Sequence, residues 1–323
     1  MVVKLVRLVV VALCALAVGT DATEKVVKRE KVYEQLQTPP VVLMHGMGDA
    51  AGNSGMKHIR DLISKHLGGT YVTNIQLGNS IGEDVQNSYL ITMDKQLDMF
   101  AAIVRKVSYD RFRDPKLANG FNAAGFSQGN LLIRGYIERY NNPPVLNFIS
   151  FHGPLAGVGA LPQCKPTQFI CREINRLIGT QVYSDRVQKH LAQSNYFRDP
   201  LKIDEYLQHV HFLPDLNNEG KSVNATYKEN FIKLHNLALV RANADTQVVP
   251  KDAEWFGAYA DGSNYDKILG FNETRWYKED LFGLQTLDRA GKVHFFETAG
   301  DHLRFSNDFI LSLVDRFFQP TLI

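Results

Sequence analysis

Short apolar runs alternate with segments of helical spacing along most of this 323-residue chain, and this alternation constrains the fold more than any other feature. The first run, Val41 to Met44, is continuously apolar, as are strands that are buried on both faces of a parallel sheet. Residues 56–67 follow with an apolar side chain every three or four positions, which is the spacing of an amphipathic helix. The repeated alternation predicts an α/β fold with a mostly parallel central sheet flanked by helices.

The same pattern maps the remaining elements and shows one interruption. Predicted strands follow at 71–77, 121–124, 145–151, 236–242 and 293–298, and predicted helices at 89–107, 130–140 and 307–317. From residue 153 to about 234 the alternation stops. We interpret this stretch as a helical insertion above the carboxyl ends of the strands, where doubly wound sheets bind ligands. The chain is then a single domain over residues 23–323 that carries the insertion at about 153–234.

The N-terminus has the layout of a signal peptide. Two basic residues, Lys4 and Arg7, precede an apolar run over 8–18, and small residues follow it. Because a helix that crosses a bilayer needs about 20 apolar residues, this run is too short to span one. We expect residues 1–22 to be a cleaved signal and the rest of the chain to have no stable membrane span. A buried N-terminal helix is the alternative.

Cysteine usage and glycosylation triplets agree with passage through the secretory pathway. Cys14 is removed with the signal, which leaves Cys164 and Cys171 as an even pair. In an oxidising compartment such a pair is typical of one disulfide, and two free buried thiols are the alternative. Asn224 and Asn272 each begin an Asn-X-Thr triplet, so both are predicted glycosylation sites on the surface.

Charge and composition exclude several classes of protein. Lysine and arginine number 36 against 34 aspartate and glutamate residues, a net charge of +2, and no long block of like charges occurs. Nucleic-acid binding needs a basic excess on one face, so no nucleic-acid partner is expected. No cluster of histidines and carboxylates has the spacing of metal ligands, so neither a metal nor a cofactor is expected.

The pentapeptide Gly125-Phe126-Ser127-Gln128-Gly129 lies between a predicted strand and a predicted helix. In that context G-x-S-x-G is typical of a nucleophile elbow, a tight turn that exposes a serine hydroxyl at the top of the sheet. The two glycines permit such a turn, and the N-terminus of the following helix supplies a favourable dipole. We therefore predict Ser127 as a nucleophile. A serine that only caps the helix is the alternative.

A serine nucleophile needs a neighbouring base, and in this kind of fold the chain order is serine, acid, histidine. Of the ten histidines, only His302 lies in a glycine-bearing loop just after the last predicted strand. Asp245 follows the preceding predicted strand and is the expected acid. Three other aspartates are its rivals: Asp215, Asp252 and Asp301.

Acyl transfer also needs two donors for the negative charge that develops on the carbonyl oxygen. The elbow supplies the backbone N–H of Gln128, the residue after the nucleophile. The loop after the first strand contains two glycines, which let the backbone approach a substrate, so the N–H of Met47 is the predicted second donor. An ordinary strand-to-helix turn is the alternative for this loop.

Six separated sequence blocks, in order, resemble the palmitoyl-protein thioesterase family, and the resemblance extends from about residue 39 to the C-terminus. The blocks are residues 45–49, 83–88, 125–129, 161–164 with 171, 254–257 and 300–303. The resemblance implies an α/β-hydrolase fold with a helical insertion that forms a lipid-binding groove. It implies Ser127, Asp245 and His302 as the catalytic triad, with Met47 and Gln128 as the oxyanion hole.

The resemblance also implies a substrate class and a location. The expected substrates are S-palmitoylated proteins or peptides, or other long-chain acyl thioesters, in lysosomes reached through the secretory pathway or outside the cell. Apolar and aromatic residues of the insertion are candidates for the acyl groove, although core packing explains each equally well: Phe169, Ile170, Ile174, Ile178, Val182, Tyr183 and Phe197. The alternatives are an acyl-CoA thioesterase, a lipase or an esterase with the same triad, and a non-catalytic lipid-binding protein of this fold.

The chain departs from the family pattern at three places. Ala50 and Ala51 stand where better-studied members have cysteines, and Asn130 stands where they have a second glycine. The usual run of glycine and histidine is altered at residues 151–155. None of these changes touches the predicted triad. The last could reshape the expected groove, so the preferred acyl length does not follow from the resemblance.

Overall fold

A parallel sheet forms the centre of the molecule. The computed structural model describes residues 38–109, 116–160 and 169–319, apart from the side chains of 107–109, 169–171, 174 and 177. Within these ranges the strands are β1 (Val41–Met44), β2 (Val72–Asn74), β3 (Phe121–Phe126), β4 (Val145–Phe151), β5 (Asn236–Ala242), β6 (Ala258–Tyr259), β7 (Ile268–Leu269) and β8 (Val293–Thr298). Six of them pair in parallel in the order β2-β1-β3-β4-β5-β8, and β6 pairs antiparallel with β7. The predicted α/β class is confirmed.

Helices fill the connections between most of the sheet strands, as parallel neighbours require a crossover connection. In the described part of the chain they are α1 (Ser54–His66), α2 (Ile81–Leu90), α3 (Met93–Tyr109), α4 (Gly129–Arg139), α5 (Phe169–Gln181), α6 (Asp185–His190), α7 (Ile203–His209), α8 (Phe212–Leu216), α9 (Ala225–Phe231), α10 (Arg275–Lys278), α11 (Leu284–Arg289) and α12 (Asn307–Phe317). Two 3₁₀ helices, Ala192–Tyr196 and Lys251–Trp255, accompany them.

Alternate residues of β1 face opposite helix layers. Val41 and Leu43 belong to a buried cluster that includes side chains of α1 and α12. Val42 and Met44 belong to a second cluster, which includes side chains of α3 and α4. Because side chains alternate along a strand, a continuously apolar strand is stable only when both faces of the sheet are covered. The four consecutive apolar residues of β1 are therefore explained by its place in a sheet that helices cover on both faces.

The predicted helix over 89–107 is wrong in one respect, because two helices, α2 and α3, share this stretch. Ile91 adopts an extended conformation with φ −114° and ψ 147°, which ends α2. The hydroxyl of Thr92 then accepts the N–H of Lys95 at 3.3 Å and begins α3. Threonine side chains favour such capping positions over helix interiors. The apolar spacing alone did not reveal this break.

The chain between β4 and β5 adds no strand to the sheet within its described part. It contributes helices α5 to α9 and the 3₁₀ helix Ala192–Tyr196. These elements occupy the stretch in which the strand–helix alternation stops. Across the described residues, every helix is too short or too polar to cross a membrane.

Several predictions concern residues or side chains outside the described part of the chain. The proposed signal peptide over residues 1–22 is one of them. The disulfide between Cys164 and Cys171 is another, since neither sulfur atom is described. The same holds for the side chains of three groove candidates: Phe169, Ile170 and Ile174.

Candidate active site

Ser127 occupies a strained turn between β3 and α4. Its φ is 52°, in the left-handed region that residues other than glycine rarely adopt. Its backbone N–H donates to the carbonyl oxygen of Phe151 at 3.0 Å, which ties the turn to the end of β4. Gly129 lies so close to the carbonyl oxygens of Met44 and His45 that any side chain there would collide with them. Contacts with the ends of β1 and β4 therefore maintain the strain at the serine.

The loops after β5 and β8 bring an aspartate and a histidine to this serine. His302 Nε2 lies 2.9 Å from Ser127 Oγ, and His302 Nδ1 lies 2.6 Å from Asp245 Oδ2. Because a carboxylate only accepts hydrogen bonds, Nδ1 carries the proton in this arrangement. Nε2 is then the acceptor for the serine hydroxyl, which is the tautomer that a general base requires.

Asp245 is held in its ionised form. Its Oδ1 accepts the backbone N–H of Gln247 at 2.6 Å and that of Val248 at 2.8 Å. Burial acts against the charge, but hydrogen bonds from His302, Glu254 and the backbone hold the pKa of Asp245 well below its usual range. The aspartate therefore remains a hydrogen-bond acceptor for the imidazole at any pH near neutrality.

The three rival aspartates are engaged elsewhere. Asp215 forms an ion pair with Arg139 at 2.7 Å, and Asp252 forms one with Arg241 at 3.0 Å. Asp301 accepts the backbone N–H of Thr246 at 3.0 Å. In this structure the carboxylate that accepts the hydrogen bond from His302 Nδ1 is that of Asp245.

The loop after β1 is anchored to α2. His45 Nε2 lies 3.1 Å from the Asp84 carboxylate, and the pair is buried. The backbone N–H of Gly48 donates to Ser88 Oγ at 2.9 Å. Two of the sequence blocks that carry the family resemblance therefore form one hydrogen-bonded unit. Met47 lies between these two anchors and lines the cavity beside the serine.

The side chain of Gln128 joins the elbow to the 3₁₀ helix Ala192–Tyr196. Its Nε2 donates to the Ser88 carbonyl oxygen at 2.9 Å, and its Oε1 accepts from Gln193 Nε2 at 2.9 Å and from the Tyr196 hydroxyl at 3.0 Å. The local sequence indicates a role only for the backbone N–H of Gln128, so this buried network was not predicted. Its partners lie 40, 65 and 68 residues away along the chain. Within the described chain, no backbone acceptor pairs with the N–H of Gln128 or of Met47.

His152 supports the loop that carries His302, a role that sequence reasoning also missed. Its Nδ1 accepts the backbone N–H of Leu303 at 2.8 Å, and its Nε2 lies 3.0 Å from Thr298 Oγ1. Burial and, secondarily, the neighbouring His302 lower the pKa of His152 to about 4. A neutral ring fits these contacts, because Nδ1 must accept while Nε2–H donates. In the sequence, the altered run at residues 151–155 was the sign that could have drawn attention to His152.

One group of residues in the described chain could hold a metal ion. The ligand-type atoms of His152, Asp245 and His302 lie within 4.8 Å of one another. All four ring nitrogens already make hydrogen bonds, including the one between His302 and Ser127. A bound ion would have to displace these contacts, so the arrangement favours proton transfer over metal binding.

Two cavities share lining residues, and the smaller of them borders the site. One of about 200 Å³ lies beside Ser127 and is lined in part by Ile178 and Phe197. The other, of about 550 Å³, is lined by the same two residues and by Val182 and Tyr183. Every predicted groove residue with a described side chain therefore borders at least one cavity.

The parallel sheet, the strained serine between a strand and a helix, and the chain order serine, aspartate, histidine define an α/β-hydrolase. Comparison with known sequences narrows the class. The family described as palmitoyl protein thioesterase matches residues 40–302 of this chain. The protein therefore belongs to the palmitoyl-protein thioesterase family, and it is a thioester hydrolase.

Individual relatives agree with this assignment. Palmitoyl-protein thioesterase 1 of Caenorhabditis elegans is 37% identical over 309 residues, which cover 95% of this chain and 98% of that protein. Palmitoyl-protein thioesterase 3 of Dictyostelium discoideum is 38% identical over 265 residues, 82% of this chain and 85% of the relative. Lysosomal thioesterase PPT2-B of Xenopus laevis is 27% identical over 262 residues, 81% of this chain and 85% of the relative.

Proposed function

We propose that this protein removes long-chain acyl groups, palmitoyl among them, from the cysteine thiols of S-acylated proteins or peptides. Ser127 is the nucleophile, His302 is the general base and acid, and Asp245 orients the imidazole. The observation that most supports the proposal is the hydrogen-bonded chain through these three residues, with contacts of 2.9 and 2.6 Å.

The first half of the proposed reaction forms an acyl-enzyme. His302 Nε2 accepts the hydroxyl proton as Ser127 Oγ attacks the thioester carbonyl carbon. The backbone N–H groups of Met47 and Gln128 then donate to the carbonyl oxygen as it becomes negative. When the carbon–sulfur bond breaks, the cysteine leaves as a thiolate or takes the proton from the imidazolium. A thiol with a pKa of about 8.5 is a good leaving group, so departure is easier than from an oxygen ester.

The second half releases the fatty acid. His302 removes a proton from water as the water oxygen attacks the acyl carbon, and the same N–H groups hold the new negative charge. The ester bond to Ser127 then breaks, and the imidazolium returns a proton to the serine oxygen. In both halves Asp245 stabilises the transient imidazolium through its contact with Nδ1.

The acyl chain is assigned to the two cavities that share Ile178 and Phe197. Each CH₂ group that moves from water into such a site contributes up to about 0.8 kcal/mol, or up to about fourfold in affinity. A long acyl chain can therefore contribute binding energy, although the reaction itself involves a single carbonyl group. Longer acyl chains are therefore expected to be better substrates until the two cavities are filled.

The test compares purified wild-type protein with Ser127→Ala. Substrates are an S-palmitoyl peptide, palmitoyl-CoA, and palmitoyl and butyryl esters of p-nitrophenol. We expect the highest kcat/KM for the S-palmitoyl peptide and a loss of at least about 10³-fold in the variant. A preference for short oxygen esters would identify an esterase instead. No hydrolysis by the wild type and no labelling by a fluorophosphonate would favour a non-catalytic lipid carrier.

We further propose that the protein acts in lysosomes as one domain over residues 23–323. The apolar N-terminal run, the two asparagine triplets and a relative named as a lysosomal thioesterase support this location. Asn224 and Asn272 are exposed, as glycan acceptors must be. Mass spectrometry of protein expressed in animal cells would test cleavage after about residue 22, both glycans and the disulfide between Cys164 and Cys171. An unprocessed N-terminus on an unglycosylated protein would contradict the proposed location.

A further inference from the structure

Glu254 is a second carboxyl group at Asp245. It lies in the 3₁₀ helix Lys251–Trp255, its side chain is inaccessible to solvent, and its Oε2 accepts the backbone N–H of Ala242 at 2.7 Å. The carboxyl groups of Glu254 and Asp245 lie close enough for a hydrogen bond, and this contact shifts the pKa of each group. Two carboxyl groups bond in this way only when one of them carries a proton, because two carboxylates offer no donor and repel each other.

The neighbours of the pair decide which group carries the proton. Asp245 accepts two backbone N–H groups in addition to His302, and each of these contacts favours a negative charge. Glu254 accepts one N–H, while its Oε1 is buried without a donor in the described chain. A proton on Oε1 converts this unpaired oxygen into a donor toward Asp245.

Charges around the pair agree with this assignment. Among the described residues, Arg241 is a cation that acts on Glu254, and it is engaged with Asp252 at 3.0 Å and with Glu297 at 2.5 Å. Burial and, secondarily, the hydrogen bond and charge of Asp245 raise the pKa of Glu254 to about 11, despite the partial opposition of Arg241.

We propose that Glu254 is a protonated positioning residue, which donates its O–H to Asp245 and extends the chain of Ser127, His302 and Asp245 by a fourth member. This inference rests on the proposed function, since a positioning role requires that the triad does the chemistry. The hydrogen bond holds Asp245 with Oδ2 toward the imidazole. It also takes up part of the carboxylate charge, so that the pair presents one negative charge to His302 rather than two. The ring of His152 lies beside that imidazole, with 5.9 Å between the ring centroids, and Asp301 accepts the backbone N–H of His302, so neither replaces this donor.

The matched test is Glu254→Gln. A glutamine amide retains the pattern of a protonated carboxyl group, since its NH₂ donates to Asp245 and its C=O accepts from Ala242. We expect kcat within about threefold of the wild type and an unchanged acidic limb of the kcat/KM profile. If Glu254 were ionised, its replacement would remove a negative charge near the imidazole and displace that limb by about one pH unit or more. Such a displacement would overturn the proposal.

Glu254→Met is the second variant, because it removes the donor at nearly constant length. We expect kcat to fall about tenfold at unchanged KM, with the acidic limb displaced to higher pH, since Asp245 recovers its full charge. Wild-type kcat together with an unchanged profile would exclude a positioning role. A purely structural residue would alter stability without moving the limb.

Infrared spectroscopy provides a readout that is independent of catalysis and of the stability of Glu254→Met. The difference spectrum of wild type minus Glu254→Gln at pH 7 is expected to contain the C=O band of a protonated carboxylic acid. Its absence would overturn the assignment. The band reports the protonation of Glu254, whereas the activity of Ser127→Ala reports whether the proposed triad does the chemistry. If the band is present and Ser127→Ala retains activity, Glu254 is protonated but the proposed triad is wrong. Failure of this inference and failure of the proposed function are therefore distinguishable.

Discussion

Replacement of Gly46 by alanine should lower kcat strongly while the protein stays folded. A Cβ atom at this position would lie 2.8 Å from Ser127 Cβ and 3.0 Å from the carbonyl oxygen of Phe126. The favourable distance between two carbon atoms is about 3.5–4.0 Å, so one of the two loops has to retreat by roughly 1 Å. Gly48 has φ 76°, whereas Gly46 does not adopt a positive φ, so alanine at Gly46 adds a contact and no backbone strain.

The size of the expected loss in kcat follows from the groups that these two loops hold in position. Displacement would move the proposed oxyanion donor, the N–H of Met47, away from the substrate carbonyl oxygen, or would move the serine away from His302. A misplacement of about 1 Å lowers rates by about 10²-fold, and the loss of one oxyanion donor lowers them by about 10²–10³-fold. We therefore expect kcat for the S-palmitoyl peptide to fall by about 10²-fold. KM should change less, because Gly46 lines the smaller cavity beside Ser127 but not the cavity of about 550 Å³.

The matched control is Gly55→Ala. No atom outside its own neighbourhood lies within 4 Å of a Cβ at this position, which is in the first turn of α1. Alanine at Gly55 should leave kcat unchanged and raise helix stability by up to about 1 kcal/mol. Thermal unfolding of both variants separates a loss of catalysis from a loss of folding. Activity of Gly46→Ala within threefold of the wild type would refute the steric argument.

Two further variants test the supports of the site. Gln128→Leu should destabilise the protein by roughly 1–3 kcal/mol in urea unfolding, because Gln193 and Tyr196 lose a buried acceptor, and an unchanged midpoint would contradict this. His152 has a folded pKa of about 4 against an ordinary 6.5, so the unfolded chain takes up a proton that the folded ring does not. The unfolding free energy should therefore be largest above pH 6.5 and fall by up to about 3 kcal/mol toward pH 4. His152→Asn, which tolerates the positive φ, should show a flatter dependence over this window, and an equal slope would exclude His152 as its source.

Much of the fold and part of the site could be predicted from local patterns. Apolar runs and helical spacing are properties of a few consecutive residues, and they predict the class of the sheet and the position of most elements. The turn at Ser127 has its own glycines, and His302 and Asp245 each follow a strand directly. Parallel strands end at the same edge of a sheet. The loops that follow these strands are therefore expected to lie near one another, independently of the connections between them. The boundary between α2 and α3 was missed because a single hydroxyl at Thr92 decides it.

Contacts between distant segments had no local signal. Nothing in the neighbourhood of Gln128 indicates Gln193, and nothing near Glu254 indicates that its carboxyl group meets that of Asp245. His152 appeared only as part of an altered run, yet its ring holds the backbone of Leu303. Such partners depend on the register of the strands and on the path of the chain between β4 and β5. Sequence alone therefore determined the sheet, the elbow and the family of this protein. Only the tertiary structure decided which buried polar groups surround the reacting serine, because pairing them requires that segments far apart in the chain be packed together.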